Sequence, residues 1–71
     1  MKKVILFVNR DITYIDLGQD PCYCEVVEAN VLSVTRDGDG YVVATDYTNP
    51  YSGRKAQFFL SQENFAKLQL S

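Results

Sequence analysis

One side chain that carries much of protein chemistry is missing from this sequence: the 71 residues include no histidine. Neither a Ser-His-Asp nor a Cys-His arrangement can therefore be assembled within the chain. Cysteine is represented only by Cys22 and Cys24, with one residue between them. In a strand their side chains share a face and are poorly placed for an ordinary disulfide. The spacing is also not the two-residue gap of a redox pair, and no second pair completes a zinc set. The simplest expectation is two reduced, partly buried small side chains, with no cofactor and no metal. Metal held between two copies, or pairing across a dimer, is the competing reading. Reduced cysteines point to the cytoplasm.

The carboxylates give no stronger sign of catalysis. Asp11, Asp16, Glu25 and Glu28 lie within one third of the chain. A glycosidase pair needs a controlled separation and a substrate cleft, for which so small a chain has little volume. Glu25 and Glu28 are three apart and fall on opposite faces of a regular strand. Asp37-Gly38-Asp39-Gly40 has the opening look of a calcium loop, but the twelfth position counted from Asp37 is Thr48, not a bidentate Glu. A plain hairpin turn accounts for it. Gly53 stands without the glycine run and Lys-Ser/Thr of a phosphate loop. The chain reads as a non-enzyme.

Binding chemistry is better represented. Tyr47, Tyr51, Arg54 and Lys55 cluster in one turn-rich segment, and Arg36 precedes the neighbouring turn. Tyrosine and arginine together are favoured at the energetic centres of protein interfaces. The same residues could stack on bases and touch phosphate, as small barrels often do. Asp37, Asp39 and Asp46 lie close in sequence, however, and seven basic against nine acidic residues leave a net charge of -2. Generic binding to a nucleic-acid backbone calls for a basic face. A protein-interaction module or accessory protein is therefore the first reading, with nucleic-acid binding second.

These residues need a scaffold, and the pattern supplies strands. Residues 3–9 are apolar on both parities, Val4/Leu6/Val8 and Ile5/Phe7, so both faces of this strand expect cover. One face enters the core, and the other can meet a terminal segment, a partner or a second copy in a homodimer. The apolar run 4–8 is far short of the roughly 20 residues of a membrane helix, and no small-residue cleavage site follows it. Asn9-Arg10-Asp11 reads as a turn, and residues 12–17 as a short strand. Pro21, preceded by Gly18-Gln19-Asp20, marks a boundary. Residues 23–36 then form a long strand with Val27, Ala29 and Val31 inward. Beyond them Leu32 and Val34 are apolar while Ser33 and Thr35 are polar, so the parity slips by one. A β-bulge near Val31 and Leu32 explains the slip.

The 37–40 turn leads into a return strand at 41–47, whose core face the pattern leaves open. A polar loop with Asn49-Pro50 and Ser52-Gly53 reversals spans 48–55. Residues 56–60 form the closing strand. Ser61 is placed to cap a short helix without a full capping box, because the third residue after it is Asn64. Phe65 and Leu68 share a helical face and would plug one end of the sheet. A single mainly β domain over 1–71 follows: a small half-open barrel resembling the SH3-like type, with a short C-terminal helical turn. The competing OB arrangement normally carries a helix between strands, and no helical pattern occurs there. At this size one core is barely sufficient, although five Tyr and four Phe enlarge it.

Overall fold

The computed structural model describes residues 2–10, 12–17 and 23–68. Among these residues five antiparallel strands form: β1 Lys3–Val8, β2 Thr13–Ile15, β3 Glu25–Asp37, β4 Gly40–Thr48 and β5 Lys55–Ser61. The helix α1, Gln62–Lys67, follows directly. The spatial order is β2-β1-β3-β4-β5, a sheet that nearly closes into a half-open barrel.

The long strand β3 makes this curl possible, because its two halves serve different neighbours. Its first half pairs with β1, from Glu25 opposite Val8 to Asn30 opposite Lys3. Its second half pairs with β4, and the register shifts between Val31 and Ser33. The expected bulge is therefore present, with Leu32 as the extra residue. Asp46 secures the changeover: its carboxylate accepts from the Asn30 backbone N–H at 2.9 Å and from Asn30 Nδ2 at 2.7 Å. Those two bonds, the side-chain one first, hold the Asp46 carboxyl below its ordinary 3.8.

Inward positions of β1 and β3 fall as the alternation predicts. Val4, Leu6, Val8, Ala29 and Val31 are buried, and Val27 packs against them. Past the bulge the outcome differs from a simple reading of parity. Val34 does face the core side, opposite the fully buried Val43. Yet Leu32 and Val34 remain 54% and 41% exposed. Here β3 has run beyond its pairing with β1, which ends at Lys3 opposite Asn30, and among the described residues no strand pairs with it on that flank. In β4 the ambiguity is resolved in favour of Val43 and Thr45, which are buried, while Val42 and Ala44 are half-buried. Thr45 tolerates burial because its hydroxyl donates to the Ala56 carbonyl at 2.7 Å. That bond lies beside a second register shift, between Ala44 and Thr48.

The outer face of β1 is also partly covered, as the doubly apolar strand anticipates. Phe7 lies opposite Tyr14 of β2 and Val26 of β3, with the Phe7 and Tyr14 ring centres 6.1 Å apart. Val26 remains exposed. Glu25 pairs with Val8 and Glu28 with Ile5, so the two carboxylates take opposite faces. Glu28 forms an exposed ion pair with Lys3 at 3.1 Å.

The 37–40 hairpin closes with Asp37 opposite Gly40, and Gly38 takes a left-handed φ of 58°. Gly40 has a packing reason as well: a Cβ there would lie 2.3 Å from the Leu60 carbonyl and 2.7 Å from the Phe59 ring. Ser61 caps α1, its hydroxyl accepting from Asn64 N–H at 3.2 Å. Phe65 stacks on Tyr41 with ring centres 4.1 Å apart, and Phe65 and Leu68 both pack against the core. Asp11, Pro21, Cys22 and the residues after Leu68 lie outside the described residues.

Candidate functional site

The 48–55 loop is organised by one residue, Asn49, which is 8% exposed. Its Oδ1 accepts from the backbone N–H of Tyr51 at 2.8 Å and of Ser52 at 3.3 Å. This is the local turn that asparagine favours ahead of proline. Its backbone N–H donates to the Arg54 carbonyl at 2.9 Å, and its carbonyl accepts from Gly53 N–H at 2.8 Å. Gly53 meets the geometry with a φ of 74°. Finally, Asn49 Nδ2 donates to the hydroxyl of Thr13 on β2, which ties the loop to the far edge of the sheet. The tip is thus fixed from within, while Tyr51, Arg54 and Lys55 are exposed on it.

Tyr47 has a different position. It is half-buried and packs against the core. Burial, followed by the nearby Glu25 and Tyr51, pushes its phenol above the ordinary 10.0. It serves more as a foundation of the loop than as an exposed contact. Arg36 does not join the group. It pairs with Tyr41, its guanidinium 5.2 Å from that ring centre, and its Nε donates to the Gly38 carbonyl at 3.1 Å. Tyr41 lies six positions (47 − 41) before Tyr47 on β4, about 20 Å along a strand. Arg36 therefore belongs to the opposite end of the barrel, because the bent hairpin carries the 37–40 turn away from the 48–55 loop.

A cleft of about 230 Å³ opens where β2 and β5 approach each other beneath the loop. Arg54 and Lys55 line it from the loop side, and Arg10 joins them from the β1–β2 turn. That turn is held by Asn9, whose N–H donates to the Ile12 carbonyl at 2.9 Å and whose Oδ1 accepts from Ile12 N–H at 2.8 Å. Thr13, Ser52 and Gln57 add polar groups, with Ala56 and Phe58 as apolar lining. No carboxylate among the described residues lines the cleft. Three of the seven basic residues thus converge on one seam of a net acidic chain. Arg10, Thr13 and Gln57 escape the sequence reading because only barrel curvature brings the β1–β2 turn beside β5. The Asn-Pro turn is legible in the sequence, but its bond to Thr13, 36 residues away, is not.

Elsewhere, Cys24 is a half-buried free thiol, 3.3 Å from the Tyr14 hydroxyl. The expectation for Cys22 falls outside the described residues. Among the described residues no helix is long and apolar enough to cross a membrane, and no group of three or more potential metal ligands comes together. Compared with known proteins, the chain matches no family model, no curated protein and no solved structure.

Proposed function

We propose that this chain is a non-enzymatic protein-interaction module that uses its 47–55 loop as the contact surface. The observation that carries the reading is the internal fixing of that loop by Asn49, with Tyr51 and Arg54 exposed upon it. A surface held in place before binding loses little conformational entropy when a partner arrives. Tyr51, 57% exposed, offers apolar area with one polar tip, and Arg54 offers directional donors. Both are favoured interface anchors. Lys55 extends the charged margin, and Tyr47 supports the loop from below. Arg36 drops out of this surface.

A bent long strand shared between two neighbours, a tight hairpin and one helical turn after the last strand support the SH3-like class of half-open barrels. The partner is another protein or a second copy of this chain. The setting proposed is the reducing cytoplasm, in keeping with the free thiol of Cys24. Nucleic acid is the second reading, favoured by the convergence of Arg10, Arg54 and Lys55.

A Tyr51→Ala/Arg54→Ala double variant tests the proposal. Neither side chain is buried, so the variant is expected to keep the native circular dichroism spectrum. Binding to the protein recovered with the wild type should weaken at least about 10-fold, or 1.4 kcal/mol. Equal affinity of variant and wild type would reject the surface. Loss of the partner signal on nuclease treatment would transfer the reading to nucleic acid.

A further inference from the structure

The polar lining of the cleft beneath the loop is weighted toward hydrogen-bond donors. Arg10, Arg54 and Lys55 bring three cationic side chains to it. Among the described residues none of these three makes an ion pair, the one bridge there being Lys3 with Glu28. The two lining hydroxyls each accept a bond already, Thr13 from Asn49 Nδ2 and Ser52 from the Arg54 backbone N–H. Each keeps its O–H to give. Gln57 adds an amide with two further donor hydrogens. Acceptors beside the cleft are engaged: Asn49 Oδ1 takes the Tyr51 and Ser52 N–H groups, and the Ala56 carbonyl takes the Thr45 hydroxyl. Converging cations and donors, with no carboxylate among the described lining residues, make a setting for an anion.

We propose that this cleft binds one phosphate monoester group in its dianionic form. Its volume of about 230 Å³ lies below the roughly 300–1,000 Å³ of sites that enclose drug-sized molecules. It suits a single small group rather than a whole nucleotide. A monoester carries nearly two negative charges near neutral pH and three strong acceptor oxygens. A phosphodiester offers a single charge, so three cations favour the monoester. Arginine matches phosphate through its planar fork of donors, and lysine acts as a point charge. The backbone that carries these cations is held in place. Asn9 fixes the turn of Arg10, and Asn49 ties the loop of Arg54 and Lys55 to Thr13 on β2. The same chemistry would take a small phosphate ester or a phosphorylated side chain. The site goes beyond the protein-contact reading and does not depend on it, although Arg54 is common to both.

The test uses the full chain, labelled with nitrogen-15, titrated in dilute salt with methyl phosphate, with dimethyl phosphate and with a blocked pentapeptide of four alanines around a central phosphoserine. Methyl phosphate should shift the amides of Arg10, Thr13 and residues 52–57 as one saturable set, with a Kd of about 1 mM or tighter. Dimethyl phosphate should bind at least about 10-fold more weakly. The chain has no histidine to change charge between pH 5 and 8, so pH acts there chiefly on the ligand. Affinity for methyl phosphate should fall at least about 3-fold from pH 7.5 to 5, as its second proton returns near pH 6. Arg10→Gln, on the exposed β1–β2 turn, should weaken methyl phosphate at least about 5-fold. Lys67→Gln, exposed on α1, removes the same charge elsewhere and should leave the affinity unchanged.

Tighter binding of the phosphopeptide than of methyl phosphate, with shifts spreading over residues 49–51, supports the site and assigns it to a phosphorylated protein. Equal affinity supports the site and assigns it to a small phosphate ester. Silence of both monoesters up to about 10 mM overturns the proposal, as do shifts centred away from the cleft. Equal effects of Arg10→Gln and Lys67→Gln reduce the binding to net charge and also overturn it. Dimethyl phosphate binding as well as methyl phosphate, or an affinity that does not change with pH, overturns the choice of a monoester dianion. Arg10→Gln leaves Tyr51 and Arg54 in place. A protein partner that the Tyr51/Arg54 variant still loses would therefore keep the protein-contact reading standing after any of these failures.

Discussion

Replacing Asn49 by alanine removes three hydrogen bonds at once: Nδ2 to the Thr13 hydroxyl, and those to Oδ1 from Tyr51 and Ser52 N–H. A protein hydrogen bond contributes about 1 kcal/mol net. The Ser52 bond, at 3.3 Å, is at the long end of the useful range and counts for about half of that. The expected loss is therefore about 2–3 kcal/mol, a large share of the few kcal/mol available to so small a domain. Thr13→Val removes only the seam bond and should cost about 1 kcal/mol. Because the two residues share that bond, the double variant should cost measurably less than the sum of the single ones. Equilibrium urea unfolding, followed by far-ultraviolet circular dichroism, measures all three, and the same samples report loop function through partner binding. An Asn49→Ala variant within about 0.5 kcal/mol of the wild type, or strict additivity with Thr13→Val, would refute the role given to Asn49.

Two further expectations concern the scaffold. Gly40→Ala should destabilise the protein by more than about 2 kcal/mol, because the new Cβ meets the Leu60 backbone carbonyl at 2.3 Å and backbone cannot swing aside. An unfolding midpoint equal to that of the wild type would contradict this packing. Asp46 has a folded pKa held below 3.8, chiefly by its side-chain bond from Asn30. Its contribution to stability is present above that ordinary value and is lost as pH falls through the depressed folded one, where the unfolded chain binds the extra proton. Asp46→Asn should therefore flatten the acid side of the stability curve below pH about 4. Parallel acid limbs for the two proteins would show that the Asn30 bonds do not hold the carboxylate.

Much of the scaffold is written in local pattern. The DGDG turn, the Ser61 cap and the inward Val27, Ala29 and Val31 each depend on neighbours a few residues away. The Val31–Leu32 bulge is visible because it breaks a period of two. What the pattern omits is where each strand ends relative to the next. Leu32 and Val34 have the composition of core residues, yet stay exposed because β1 stops at Lys3. The 48–55 loop and its Tyr51, Arg54 and Lys55 are equally legible as an exposed, polar connection. Arg36 is near them in sequence through its turn, yet the length of β4 separates the two ends of the barrel. Arg10 is the converse case. It lies 44 positions (54 − 10) before Arg54, and barrel curvature alone brings the two to one cleft.

The most direct test of the 47–55 loop as the recognition surface is a map of amide shift changes across the whole chain, recorded with a saturating protein partner. The account predicts changes concentrated at Tyr47, residues 49–55 and Thr13, to which Asn49 is bonded, with the Arg36–Tyr41 pair at the far end of the barrel unmoved. Changes centred instead on the exposed edge at Leu32 and Val34, or on Arg36 and Tyr41, would contradict it.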